Sequence, residues 1–547
     1  MGQGRALSAQ GTTRRALLAA GAAATLAGCE RSDALPLPPG GWVGANWERG
    51  HRVRDAAAAS SPTADLRRAA WPTPARRVAV LVAGSGIAGL AAARSFARRG
   101  VDDVHVLELD DAAGGNARGH VMAGMACPLG AHYLPLPEPE STEVAEWLHE
   151  IGLLHIEHGR TVPDERHLCH SPQERLFYEG QWIEGLLAPA APGSTRLAQY
   201  RRFAARIDAL RRGAGGTRRF ALPAHRSAWD AELAALDATT FSSWLARERL
   251  DDPALLAYLD YCCRDDYGAG LEVVSAWAGV HYFASRHGFH APGAVERERD
   301  AVFTWPEGNA WLAQRLAGPL GERLHLARSV LAVREERYGV QVLAWDERAG
   351  RAETWLADRV VLALPLHVAA RVLESAPDAL RTGAALLPVA PWLVANLQLD
   401  APLLERIGAP PSWDNVIYHA AGSSTSLGYV DATHQSLLPY EGATVLTAYH
   451  ALPAAARAPL LAADWRPWAE RVLADLAPAH PDLRRRVRRI DLMRWGHAMA
   501  IPRPGMQRHP ALLALRRTRG RVRFAHADLA GYSVFEEAFT AGCEAAG

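Results

Sequence analysis

Gly84, Gly86 and Gly89 follow directly on the apolar run Val78-Ala79-Val80-Leu81-Val82, and the chemistry this spacing serves is the cradling of a dinucleotide pyrophosphate. An unbroken apolar run suits a strand buried on both faces of a parallel sheet. Leu90 to Arg99 reads as an alanine-rich helix closed by Gly100, and Val104-His105-Val106-Leu107 as a second strand ending at Glu108. The three glycines serve different ends. Gly84 makes the tight turn, Gly86 lets backbone approach the phosphates, and Gly89 lets the helix pack close to the strand. Ile87 and Ala88 then sit at the helix start, where unpaired N–H groups and the positive end of the helix dipole face the anion. Glu108 lies 19 residues after Gly89, at the tip of the second strand. There its carboxylate can accept both ribose hydroxyls, and it repels a 2′-phosphate, which disfavours NADP. A glycine pattern alone is weak, but here strand, helix, second strand and acid occur in the required order. No second glycine-rich fingerprint ends another apolar strand, so a separate nicotinamide site is not expected.

The elements around this cradle follow along most of the chain. Glu108 is followed by Gly114-Gly115-Asn116-Ala117-Arg118-Gly119. Here the sequence resembles the flavin amine oxidase and phytoene desaturase superfamily, which carries a similar glutamate and two glycines, usually followed by arginine. Asn116 stands in place of that arginine, and Arg118, two positions on, is expected to reach the pyrophosphate instead. The resemblance continues through Gly130-Ala131-His132-Tyr133-Leu134-Pro135, which matches the segment passing near the flavin ring. Trp305-Pro306-Glu307-Gly308-Asn309 matches a turn entering a helix. In His325 to Val330 the family's valine, here Val330, contacts the adenine. Val360 to Pro365 matches a strand ending in proline. Near the carboxyl end, Val522 to Asp528 reads as a strand running out to an acid, with Asp528 expected at the ribityl or phosphate region. Ser533 and Glu536 have capping-box spacing, so a helix should begin there and aim its N-terminus at the flavin. Glu537 occupies the family's glycine position before Ala538.

The resemblance covers about 76–547 and implies FAD as the cofactor. It also implies an α/β fold: a Rossmann-like FAD-binding domain interleaved with a mixed α+β substrate-binding domain. The FAD-binding pieces are expected at 76–150, 301–375 and 491–547, and the substrate-binding pieces at 151–300, largely helical, and 376–490. Arg494-Trp495-Gly496-His497-Ala498-Met499 has no cysteine, so the flavin is expected to be non-covalent. His497 is the ionisable side chain expected near the ring, and Tyr532, with Phe535, is an aromatic expected to hold an amine beside it. His497 and Tyr532 are the catalytic candidates.

The first 75 residues read differently. Thr12-Thr13-Arg14-Arg15 opens an apolar stretch ending Leu26-Ala27-Gly28-Cys29. Two arginines before an apolar segment of about 13 residues, too short to span a bilayer, match a twin-arginine signal. The ending resembles a lipobox, so residues 1–29 are expected to export the folded protein and anchor it at Cys29 in the cell envelope. Residues 30–75 are rich in Pro and Ala and read as a tether, although Trp42, Trp47 and His51 suggest that part of it packs on the body.

Composition narrows the function classes. In 547 residues, 49% are hydrophobic and 22% charged, which describes a globular chain with a sizeable core. Sixty Lys+Arg against 59 Asp+Glu leave a net charge of +1, with no basic excess for nucleic acid or an anionic membrane surface. Every one of those cations is arginine, so no lysine can serve as Schiff base or general base. Many amine oxidases carry a lysine near the flavin that assists the reaction with oxygen. The matching stretch here, Trp392 to Asn396, has none, so the acceptor is O2 served by another group, or a quinone or similar carrier. The remaining cysteines show no metal-ligand spacing, and His281, His287 and His290 do not share one helical face, so no metal is expected. The substrate expected from these readings is a small amine or a similar molecule. The alternatives are a desaturase or isomerase acting on an apolar substrate at the membrane, and a flavin-binding lipoprotein without turnover.

Overall fold

The computed structural model describes residues 35–56, 62–213, 218–286, 288–293, 301–417, 425–435 and 442–547. Residues 1–29, where the export signal and Cys29 are read, lie outside the described residues. Among the described residues no helix is long and apolar enough to cross a membrane. Residues 38–547 build the fold that carries the cavity.

One sheet is built from three distant stretches of chain. The strand Arg76–Ala83 pairs in parallel with Val104–Leu107 on one side and Arg351–Leu362 on the other, Val80 opposite Val104 and Leu362 opposite Ala83. Val522–Phe524 adds to Arg351–Leu362 in parallel, Leu362 opposite Phe524. Leu324–His325 extends the other edge. Val80, Leu81, Val82 and Ala83 are buried, as strands covered on both faces must be. The helices Ile87–Arg98 and Phe535–Ala546 pack together on this sheet, and Gly542 makes that possible: a Cβ there would lie 2.1 Å from the Ala88 carbonyl oxygen.

The second sheet has eight strands, in the order Gly40–Trp42, Val487–Ala500, Val389–Leu399, Thr444–Ala451, Ser426–Asp431, Asp414–Ile417, Glu174–Tyr178 and Gln181–Glu184. Helices between Thr195 and Ala284 cover it, with Phe203, Phe241, Trp244, Trp277 and Phe283 in their common core. Fold class and interleaving thus agree with the sequence reading. The boundary drawn at 490/491 does not: it cuts the strand Val487–Ala500, because no glycine or proline breaks the sequence at that point.

The part of the 30–75 stretch that its tryptophans suggested would pack on the body does so. Gly40–Trp42 joins the edge of the second sheet, Gly41 opposite Asp491, and Trp47–Ala56 is a helix with Val53 buried. The two tryptophans are the reason. The Arg494 guanidinium lies 4.6 Å from the Trp42 ring centre and 5.3 Å from that of Trp47, and such stacking holds a proline-rich segment in place.

Candidate functional site

A cavity of about 390 Å³ runs between the two sheets and collects residues from all the segments that carry the resemblance. At its glycine-rich end, Gly84 adopts φ 100°, and a Cβ on it would meet the Ala363 carbonyl oxygen at 2.5 Å. Gly89 faces the strand rather than the cavity, and a Cβ there would lie 1.9 Å from the Gly84 oxygen. Gly86 is different. The nearest protein atom to a Cβ there is Gly115 Cα at 4.0 Å, so the protein itself leaves room for a side chain. The bare backbone at Gly86 therefore serves something that is not protein, as a pyrophosphate cradle requires. Ile87 and Ala88, at the start of the helix, and Gly114, Gly115 and Asn116 complete this wall.

Glu108 lines the cavity beside the cradle. Its carboxylate accepts hydrogen bonds from the Ser85 N–H at 2.8 Å, the Ser85 hydroxyl at 2.6 Å and the Asp110 N–H at 2.9 Å. Burial pushes the carboxyl above the usual range against the pull of these three donors. The donors fix its orientation, and lone pairs remain for a ribose. Val330 lines the same region from a strand whose register shifts between Val330 and Ala332. Val53, from the segment expected to be a tether, closes this end. The Asn46 N–H donates to Asp110 at 3.0 Å and Arg49 donates to the Leu109 carbonyl at 2.9 Å, tying that segment to the Glu108 turn.

Three candidate residues sit elsewhere than the sequence suggested. Arg118 does not line the cavity; it pairs with the half-buried Asp110 carboxylate at 2.9 Å, away from the glycine cradle. Tyr532 is buried in the substrate-domain core, edge-on to Tyr267, and donates its hydroxyl to Glu537 at 2.8 Å. Glu537 turns its side chain away from the cavity and also accepts the Ala224 N–H. The predicted capping box is absent as well: Ser533 Oγ accepts the Ala500 N–H, and the helix begins at Phe535 with Val534 as its N-cap. Val534, Phe535, Glu536 and Ala538 nonetheless bring this helix start to the cavity wall.

Asp528 lines the cavity where the sequence placed it. It accepts the Leu366 N–H at 2.9 Å and sits 3.1 Å from His526 Nδ1. Burial acts to raise this carboxyl, but His526, the Leu366 amide and His367 outweigh it and hold it below the usual range. His497 is exposed at the cavity rim, its ring centre 4.7 Å from that of His367. Desolvation against the wall, then the charges of His367, Arg457 and Arg371, hold it at about 3. It is a neutral group at the entrance.

The rest of the wall was not singled out residue by residue in the sequence, although His132, Tyr133, Trp392 and Trp495 lie in segments read as matching the family. His132, Tyr133, Trp392, Tyr449 and Trp495 contribute aromatic rings. His132 stacks on Tyr449 at 4.4 Å, and burial holds it at about 4, so it too is neutral. Asp265, Asp266 and Glu536 add carboxyls; Arg286, the facing cation, is paired with Asp266 at 2.8 Å. Burial first, then the neighbouring Asp266, pushes Asp265 up to about 7; burial does the same to Glu536. The signal was present in the sequence as Arg264-Asp265-Asp266, an acidic pair at the end of a helix that also carries Tyr258, Tyr261 and Tyr267. His281, by contrast, stacks on Trp277 in the core with Nε2 2.8 Å from the Ala221 oxygen; His287 lies outside the described residues.

A dinucleotide cradle that opens into an aromatic chamber between a Rossmann sheet and a second sheet defines an FAD-dependent oxidoreductase. Solved structures share the fold. A redesigned double mutant of putrescine oxidase matches with a TM-score of 0.62 at 18% identity, over 86% of this chain and 98% of the other. Cyclohexylamine oxidase from Brevibacterium oxydans matches with 0.60 at 18%, over the same shares. A fatty acid isomerase from P. acnes matches with 0.55 at 14%, over 85% and 97%. Residues 87–547 match the family described as flavin containing amine oxidoreductase. The chain belongs to that family, and its cofactor is FAD.

Proposed function

We propose that the protein oxidises a small amine at the carbon next to nitrogen. The observation that carries this reading is the set of carboxyls, Asp265 foremost, on the aromatic wall of the cavity that holds the glycine cradle. An apolar substrate gains nothing from buried carboxyls and leaves their cost uncompensated. An amine arrives as a cation, which they attract.

FAD, once bound, supplies the hydride acceptor. The residues of this chain do the rest. The backbone at Gly86, Gly114 and Gly115, with the helix start at Ile87 and Ala88, would hold the pyrophosphate, Glu108 the ribose and Val330 the adenine. Asp528 stays ionised at the ribityl side. Asp265 takes the proton of the arriving ammonium; a carboxyl near pH 7 suits a general base at neutral pH. The neutral amine then releases a hydride from its α-carbon as C=N forms, and water hydrolyses the iminium to a carbonyl compound and ammonia. Trp392 and Val394 are the cavity-lining residues of the stretch where the resembling oxidases carry lysine. This supports a quinone or similar carrier over O2. The Arg14-Arg15 pattern and Cys29 support export of the loaded flavoprotein and anchorage in the cell envelope.

The test is an absorbance spectrum of the purified protein, then anaerobic addition of a panel of amines. Bleaching of the flavin bands by an amine is expected, with slow recolouring in air and fast recolouring with a quinone. Flavin that no amine bleaches would overturn the reading.

A further inference from the structure

Arginines gather around the strand Val522–Phe524, at the far end of the C-terminal helix from the flavin cavity. Arg523, 8% exposed, donates to the Ala545 and Gly547 carbonyls at 2.8 Å. Arg99, Arg337, Arg359, Arg519 and Arg521 are exposed around it. Arg359 precedes Val360, whose N–H donates to the Arg521 carbonyl at 2.8 Å. Arg521 donates to the Glu336 and Arg337 carbonyls at 3.0 Å, which brings in the turn that carries Tyr338. Arg99 reaches Gly547, where a Cβ would lie 3.3 Å from its guanidinium. Burial, then the charges of Arg359, Arg519 and Arg99, pull the Arg523 guanidinium below its usual range.

None of these six arginines pairs with an Asp or Glu among the described residues. The acids beside them are engaged elsewhere. Asp358 pairs with Arg77 at 2.8 Å and Glu544 with Arg516 at 2.8 Å, and Glu336 adds its charge at Arg334, after Glu374. The net charge of +1 hides this cluster, because the compensating acids lie on other faces. Tyr338 is 71% exposed, with the Arg337 guanidinium 5.2 Å from its ring centre. None of these residues lines the flavin cavity. The helix Phe535–Ala546 starts at the cavity wall and its 12 residues run about 18 Å to the arginines.

A guanidinium matches a phosphate with two parallel hydrogen bonds. Exposed cations spread over a face, rather than lining a pocket, match a surface that carries many phosphates. Tyrosine adds an aromatic ring suited to the headgroup level. We propose that this arginine face docks the protein on a membrane surface of anionic phospholipids, with Tyr338 entering the headgroup layer. No acyl chain at Cys29 is needed for the contact. The wall of the flavin cavity stands at the other end of the C-terminal helix, away from the lipid.

The experiment is co-sedimentation of the full-length holoenzyme carrying Cys29→Ser with vesicles. One set is phosphatidylcholine alone; the other is equal parts phosphatidylcholine and phosphatidylglycerol. Binding to the anionic vesicles only is expected, weakening as salt is raised. An arginine near such a surface contributes about fivefold in affinity, so Arg99→Gln with Arg359→Gln should lose about 25-fold. Arg519→Gln with Arg521→Gln gives an independent reading, and flavin content and melting temperature check the fold of both double variants. Equal sedimentation with the two vesicle types, or anionic binding that survives in both double variants, would overturn the assignment. So would failure to bind either vesicle. If retention on immobilised polyglutamate were then lost in the double variants, the face would serve an acidic protein instead.

Discussion

Tyr532 donates its hydroxyl to Glu537 at 2.8 Å in a setting where both side chains are almost fully buried. Glu537 occupies a helix position facing away from the flavin cavity and ties Ala224, at the end of a substrate-domain loop, to the C-terminal helix. The pair joins the domains rather than serving the chemistry. Tyr532→Phe is therefore expected to cost about 2 kcal/mol of stability, the range for a buried hydrogen bond to a carboxylate. The rate of flavin bleaching by a good amine should change less than about twofold on the same scale, where about 1.4 kcal/mol is tenfold. Denaturant unfolding and stopped-flow bleaching on one preparation separate the two effects.

Gly86 and Gly89 predict opposite phenotypes from the same substitution. At Gly89 an added Cβ meets the Gly84 oxygen at 1.9 Å, so Gly89→Ala forces helix and strand apart and costs about 1–3 kcal/mol, as overpacking does. At Gly86 the nearest protein atom is 4.0 Å away, so Gly86→Ala should leave the apoprotein's melting temperature near wild type. Its methyl instead occupies space the pyrophosphate needs. FAD affinity is expected to fall about tenfold or more, equivalent to about 1.4 kcal/mol, measured by flavin fluorescence on titration.

The segment Gly40–Ala56 predicts a cofactor-retention phenotype. Val53 closes the Glu108 end of the cavity, and Asn46 and Arg49 tie the segment to Asp110 and Leu109. Val53→Asp places an unpaired charge beside Glu108, which burial already makes costly to ionise. Faster FAD release on dilution is expected, read as the rate of rise in free-flavin fluorescence. A rate unchanged from wild type would mean that the segment merely covers the cavity.

How much of this was legible follows from which residues carry local patterns. The glycine spacing, the apolar strand before it and Glu108 form one contiguous motif, so the cradle could be read directly. Asp528 could be read because it follows closely on the strand Val522–Phe524, although it lies in the helical turn Ala527–Ala530 rather than on the strand. Arg118 could not be placed, because its partner Asp110 is itself set by the Asn46 contact, which is distant in sequence. Glu537 and Tyr532 were misassigned for a related reason: helix position fixes which way a side chain points, and that position depended on whether Ser533 capped the helix. Asp265, Asp414 and Glu536 come from three separate elements, and no local pattern joins them.

Three buried carboxyls predict a pH-dependent contribution to stability. Asp265 and Glu536 are pushed up to about 7, chiefly by burial, and Asp414 is raised in the same direction. Unfolded carboxyls titrate near about 4, so between about pH 4 and pH 7 the folded protein holds more protons on these groups than the unfolded chain. Their contribution to stability must therefore fall as pH rises through that window. His132, held at about 4, acts in the opposite sense, because its unfolded imidazole binds a proton below about pH 6.5, so the carboxyl contribution is read as a difference between two proteins. Between pH 5.5 and pH 8 the holoenzyme of Asp414→Asn is expected to gain melting temperature relative to the wild type. A difference between the two that is the same at both pH values would mean that burial does not raise Asp414.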